Sequence, residues 1–206
     1  MKHRLSIAAA AVLAVATLTA QSPQGWKLRV DRSTSATDPD GAGAIKFAQT
    51  ASGFHATNPQ AATYWNPANT ASGNYTLKGT FTLLKPSSHT NYYGLVFGGS
   101  DLEGAKQAYT YFLVAQDGTW LVKHRNGDAA TDVLPKTPNA AVKKPGADGK
   151  STNALEVRVG ADKIDYVVNG TVVGSSPKSA AKTDGIYGIR VNHLLEVHID
   201  GLSAAK

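Results

Sequence analysis

Apolar and polar residues alternate one for one along most of this chain. In "LEVHID" (195–200), Leu195, Val197 and Ile199 interleave with Glu196, His198 and Asp200. Successive side chains of a strand leave opposite faces of a sheet, so such a run buries one set and wets the other. The same period runs through "WKLRVDR" (26–32), "NYTLKGTFTLL" (74–84), "AYTYFLVAQDG" (108–118), "TWLVKHRNG" (119–127) and "ALEVRVG" (154–160). Further strands are expected in "AIKFAQT" (44–50), "GFHATN" (53–58), "AATYWNP" (61–67) and "NYYGLVFGG" (91–99), punctuated by Gly, Asn and Pro. Asp117-Gly118 predicts a two-residue hairpin turn, whose central positions need positive φ. Gly160-Ala161-Asp162 and Asn169-Gly170 predict two more hairpins.

No stretch after residue 20 holds a 3.6-residue apolar period over ten positions, which argues against helices. Dense alternation, with turn signals at the roughly 8–12-residue spacing of sandwiches and barrels, predicts an all-β, antiparallel architecture. The stretch 135–151, rich in Pro, Gly and Lys, predicts a long loop, either a flap or a tolerated insertion.

The first twenty residues break the pattern. Lys2, His3 and Arg4 precede an apolar run from Ile7 to Leu18 and a small-residue exit at Thr19-Ala20. This reads as a secretory signal peptide (1–20), too short at its apolar centre to span a bilayer, followed by one domain over 21–206. The expected product is secreted or periplasmic, with no membrane span after processing. The chain has no cysteine, which excludes thiolate chemistry, a lipid-attachment cysteine and Cys-rich zinc sites. Removing Lys2 and Arg4 takes the 21 basic residues to 19 against 15 acidic, a balance of +4. The lysines are scattered over loops and are not interleaved with aromatics, so no nucleic-acid face is expected.

The C-terminal half, "NALEVRVGADKIDYVVNGTVVGSS" (153–176) and "DGIYGIRVNHLLEVHIDGLS" (184–203), resembles the hairpin series and closing strands of concanavalin A-like lectin/glucanase domains. "NYYGLVFGG" and "AYTYFLVAQDGTWLVKHRNG" are similar to the middle strands of secreted members described as laminin G-like or 3-keto-disaccharide hydrolase-like. The likeness covers about residues 74–204. It implies a two-sheet jelly roll with a concave sheet that contacts saccharides. It does not imply catalysis, because the Glu-x-Asp-x-Glu type of strand used by the glucanases is missing.

Candidate chemistry follows from which residues share a face. Tyr109 and Tyr111 lie on one face of their strand, and the Asp117-Gly118 turn is expected to set Trp120 and His124 beside them. Arg190 alternates away from Ile189 and Val191, onto the concave face that the resemblance implies. Flat rings beside a guanidinium suit sugar rings, which offer apolar C–H faces rimmed by hydroxyls. Tyr109, Tyr111, Trp120, His124 and Arg190 are therefore the expected ligand-binding set, and Trp120→Ala is expected to abolish glycan retention without unfolding. The competing reading makes the aromatics ordinary sheet residues and pairs Arg190 with Glu156 or Asp165.

Glu196 and Asp200, four residues apart on one strand, stand roughly 13 Å apart, too far to share a glycosidic bond. By resemblance to jelly-roll carbohydrate modules, Asp200 is the candidate ligand of a structural calcium; no other cofactor is expected. "DPDGAG" (38–43) reads as turn chemistry, Asp101 and Glu103 as loop charges, and His193 as a turn imidazole bonded to backbone. The expected function is non-catalytic binding of a saccharide or glycoconjugate. The alternatives are a hydrolase of the 3-keto-disaccharide hydrolase-like type, using Glu196 or His198, and a structural surface or matrix module.

Overall fold

The computed structural model describes residues 23–206, so the expected signal peptide lies outside the described residues. Among the described residues there are fourteen strands and one 3₁₀ turn, Lys178–Ala180. The strands are β1 (Lys27–Asp31), β2 (Lys46–Gln49), β3 (Gly53–Asn58), β4 (Ala61–Ala71), β5 (Tyr75–Lys85), β6 (Tyr92–Ser100) and β7 (Ala108–Ala115). They continue as β8 (Thr119–Asn126), β9 (Ala129–Pro138), β10 (Ser151–Val159), β11 (Lys163–Val168), β12 (Thr171–Pro177), β13 (Gly185–Val191) and β14 (Leu195–Ala205). Among the described residues no helix is long and apolar enough to cross a membrane.

Two seven-stranded antiparallel sheets face each other, ordered β1-β4-β13-β6-β7-β8-β9 and β12-β11-β10-β5-β14-β3-β2. This is the jelly-roll sandwich that the alternation and the resemblance imply. The aliphatic sets seen in the sequence fill the space between the sheets. Leu195, Val197 and Ile199 from β14, Leu155 and Val157 from β10, and Leu77, Phe81 and Leu83 from β5 meet Tyr93, Leu95, Phe112, Val114, Ile189 and Val191. Each such side chain, fully removed from water, contributes about 1.5–3 kcal/mol.

The stretch 129–138 is an edge strand, where the sequence predicts the start of a long loop at 135. Its residues are mostly exposed, so no core face imposes alternation on it, and Pro135 sits where the ladder to β8 is irregular, a place an edge strand tolerates. The rest of the expected loop is strapped down. Val142 is buried, and Asn153 accepts from the Lys143 amide at 2.8 Å while donating to the Lys143 carbonyl at 3.1 Å.

Candidate functional site

The expected aromatic set divides at the β7–β8 hairpin. Its ladder pairs Val114 with Trp120 and Tyr111 with Lys123. The turn therefore holds three residues, Gln116, Asp117 and Gly118, one more than the sequence predicts. Asp117 fixes that length: its Oδ1 accepts from the Thr119 amide at 3.0 Å and the Thr119 hydroxyl at 2.6 Å. A one-residue change of register moves every side chain of the strand to the other face. Trp120 is consequently not on the concave face; it is 3% exposed between the sheets, edge-on to Phe112 at 6.1 Å. His124 turns the same way, its Nδ1 3.2 Å from the Thr110 hydroxyl. Partial burial and the nearby Lys182 cation push its pKa below 6.5.

Tyr109, Tyr111 and Arg190 do share the outer face of the first sheet. They are not an open platform. The two tyrosines pack with Trp65, Val96, Leu102, Leu113 and Leu121 in a second apolar cluster. The 101–107 loop closes over that cluster, held by Arg29 donating to the Gly104 carbonyl at 2.8 Å. In that loop Asp101 Oδ2 accepts from the Lys106 amide at 3.0 Å, and Glu103 pairs with Lys27 at 2.5 Å. Arg190, 9% exposed, lies over the Tyr111 ring at 5.5 Å and donates to the Tyr109 hydroxyl at 3.3 Å and the Thr63 hydroxyl at 3.1 Å. Its ionic partner is Asp31, not Glu156 or Asp165. Asp31 Oδ2 also meets Arg125 at 2.9 Å. Burial alone would raise the Asp31 pKa, but Arg190 and then Arg125 outweigh it and hold the carboxyl below 3.8.

Above these groups opens a cleft of about 340 Å³, walled by the 32–35 loop, Asp38, Asn91 and Asn192, with Arg125 and Arg190 on its floor. Among the described residues, the shielded atoms Arg125 Nε and Asn192 Oδ1 of residues in this cleft have no hydrogen-bond partner, and Asp38 Oδ1 has only imidazole nitrogens beside it, without an aligned hydrogen bond.

At one end of the cleft three loops converge. In the order β1-β4-β13-β6, the C-terminal ends of β1 and β13 and the N-terminal end of β6 lie at the same end of the sheet. The following or preceding loops bring together Asp38, His193 and His89. His89 Nε2 is 2.7 Å and His193 Nε2 3.1 Å from Asp38 Oδ1, and the two nitrogens are 3.2 Å apart. His193 Nδ1 is 3.1 Å from Asp40 Oδ1. The expectation that His193 bonds backbone is thus corrected: its partners are side chains. This is the one group of three or more His, Asp or Glu among the described residues whose ligand atoms can share an ion.

Asp200 lies elsewhere, on the outer face of the second sheet. Its Oδ1 is 3.1 Å from His198 Nε2, and Glu196 similarly meets His55 at 3.1 Å. Calcium takes six to eight oxygens, whereas the side-chain partner of Asp200 is an imidazole. Glu196 and His198 also point away from the Arg190 face, so they do not join a cleft on it. "LEVHID" is the wet face of a strand.

Asp38 and Asp40 read in the sequence as turn residues and His89 is not singled out, because loops carry no periodicity that shows which side chains meet. The legible signals were two acids around Pro39, a histidine two residues before Asn91 in "SSHTN" and another directly after Asn192 in "VNH".

No protein-family model matches the chain, and no curated protein is significantly similar to it in sequence. Among solved structures, the carbohydrate-binding module CBM66 from Bacillus subtilis superposes with a TM-score of 0.63 at 11% identity, over 88% of this chain and 96% of that one. A family 7 alginate lyase A1-II′ in complex with its product superposes with a TM-score of 0.52 at 15% identity, over 88% and 94%. At these identities the likeness is one of fold. By that likeness and its sheet topology, the chain has the fold of a two-sheet, concanavalin A-like jelly-roll sandwich.

Proposed function

We propose that the chain is an exported, non-catalytic saccharide- or glycoconjugate-binding sandwich whose ligand lies in the cleft above Arg125 and Arg190. The observation that carries this reading is the cleft itself, about 340 Å³, in which the side chains of Arg125, Arg190, Asn91 and Asn192 gather beside the 32–35 loop. A hydroxyl both donates and accepts, so neighbouring hydroxyls of one sugar ring satisfy a guanidinium N–H and an amide oxygen together. The fold shared with a carbohydrate-binding module and an alginate lyase is compatible with it; the cleft's chemistry is the argument. Recognition is then led by hydrogen bonds and not by ring stacking, because Tyr109 and Tyr111 are packed and Trp120 lies between the sheets.

A glycan array on the purified chain, followed by Asn192→Ala, tests this. The side-chain oxygen of Asn192 has no hydrogen-bond partner among the described residues, so its loss spares the fold while weakening retention about tenfold, the worth of one ligand hydrogen bond. Unchanged retention by N192A, or no glycan held by the unaltered chain, overturns the reading.

Hydrolysis of glycosides is the second reading. It is favoured by Asp38 and His193, a carboxylate and an imidazole 3.1 Å apart that also line the cleft and suit proton transfer. Turnover on a panel of glycosides, lost in Asp38→Asn, selects it over binding alone.

A further inference from the structure

We propose that Asp38, His89 and His193 form a binding site for a divalent transition-metal ion of the zinc type, at the end of the cleft. Three atoms that carry lone pairs, Asp38 Oδ1, His89 Nε2 and His193 Nε2, stand 2.7, 3.1 and 3.2 Å from one another. Ligands about 2.0–2.1 Å from a shared tetrahedral ion stand about 3.3 Å apart, so the three are spaced close to a common ion.

The partners on the other ring nitrogen point the same way. The Asp40 carboxylate 3.1 Å from His193 Nδ1 is an acceptor there, which leaves Nε2 as the nitrogen turned toward Asp38 and His89. His89 Nε2 meets not only the Asp38 carboxylate and His193 but also Asn91 Nδ2 at 3.0 Å, an N–H donor that wants a lone pair there. Asp38 Oδ1, shielded from water, receives no aligned hydrogen bond although both imidazoles are close. A cation at the shared point neutralises all three lone pairs at once. The contact from His193 to Asp40 is the carboxylate–histidine support usual behind a metal-bound imidazole, which orients the ring and raises its basicity.

The donor set selects the ion. Two imidazoles and one carboxylate suit zinc, cobalt or nickel, whereas calcium and magnesium want oxygen. Three protein ligands leave a fourth position open, as in reactive zinc sites, and because Asp38 and His193 also line the cleft, that position is accessible from it. The site stands on its own geometry, independent of whether a sugar fills the cleft.

The test is metal analysis and titration of the full chain with Co²⁺ and Zn²⁺, read by the visible absorption of bound cobalt and its displacement by zinc. One ion per chain is expected, with the intense spectrum of four-coordinate cobalt. Asp40→Asn is expected to weaken affinity about 10–100-fold. His89→Ala, at a half-exposed ring, removes binding, while His198→Ala leaves it unchanged. Circular dichroism and melting of each metal-free variant separate lost ligation from lost folding. A wild-type chain that takes up neither ion stoichiometrically overturns the site and leaves a proton-sharing histidine pair. Undiminished binding by H89A overturns it equally.

Discussion

At the scale of a residue, one carboxylate oxygen governs the floor of the cleft. Asp31 Oδ2 meets both Arg190 and Arg125, and all three side chains are mostly buried. Removing the shared anion of a buried ionic group costs more than the group contributes, because it strands charge away from water. Asp31→Asn keeps the shape of the side chain and strands two guanidinium groups. It is expected to destabilise the chain by about 3 kcal/mol, read by denaturant unfolding, with a melting temperature lower by about 6–12 °C. A D31N chain melting within about 2 °C of the original would mean that water reaches these groups and that the cleft floor is not desolvated.

At the scale of an element, the β7–β8 hairpin decides which residues the cleft has. Its alternation was legible, and so were the core faces of β5, β10, β13 and β14, because a half-buried strand must put every second side chain in the core. The number of residues in its turn was not. Asp117-Gly118 suits two-residue and three-residue turns alike, and the choice rests on the bonds from Asp117 to Thr119, Thr90 and Lys136 that only the folded chain assembles. Trp120 and His124 changed faces with that one residue, whereas Tyr109, Tyr111 and Arg190 lay upstream of it or on another strand and kept theirs. β9 was illegible for a different reason: an exposed edge strand has no buried face to impose a pattern. Trp120 now carries the opposite expectation from a surface platform. Its ring packs so closely on β12 that a Cβ added at Gly174 would sit 2.3 Å from its Cη2. Trp120→Ala is therefore expected to lose about 3–5 kcal/mol of stability by opening a cavity between the sheets. Denaturant unfolding checks it, and a W120A chain of undiminished stability that no longer holds glycan would restore the ring to a binding face.

At the scale of the whole molecule, several local environments act together as the solution becomes acid. His124 titrates below its ordinary 6.5 because partial burial and Lys182 disfavour the imidazolium. In the Asp117 carboxyl, slight burial is outweighed by the bonds from Thr119, Lys136 and Thr90, which hold it at about 2. Asp31 and Asp165 are also held below 3.8, Asp31 by Arg190 and Arg125 against burial, Asp165 chiefly by the Ser175 hydroxyl with Lys163 adding to it. In every case the unfolded chain binds protons at a higher pH than the folded one, so stability rises with pH through each window and falls as protons are added. The histidine's contribution is complete above 6.5 and is lost as the pH drops through its lowered value. The carboxylates' contribution is complete above 3.8 and is lost as the pH falls toward about 2. Acid thus weakens the sandwich in two descending steps, with a shallower stretch between them. Unfolding free energies measured from neutral pH down to about pH 2 should trace that shape, and His124→Gln should remove the upper step while Asp117→Asn lessens the lower one. A stability that holds level or climbs on acidification would contradict the ionic arrangement of the cleft floor and of the β7–β8 turn together, since both groups of carboxylates must be ionised to do what their neighbours ask of them.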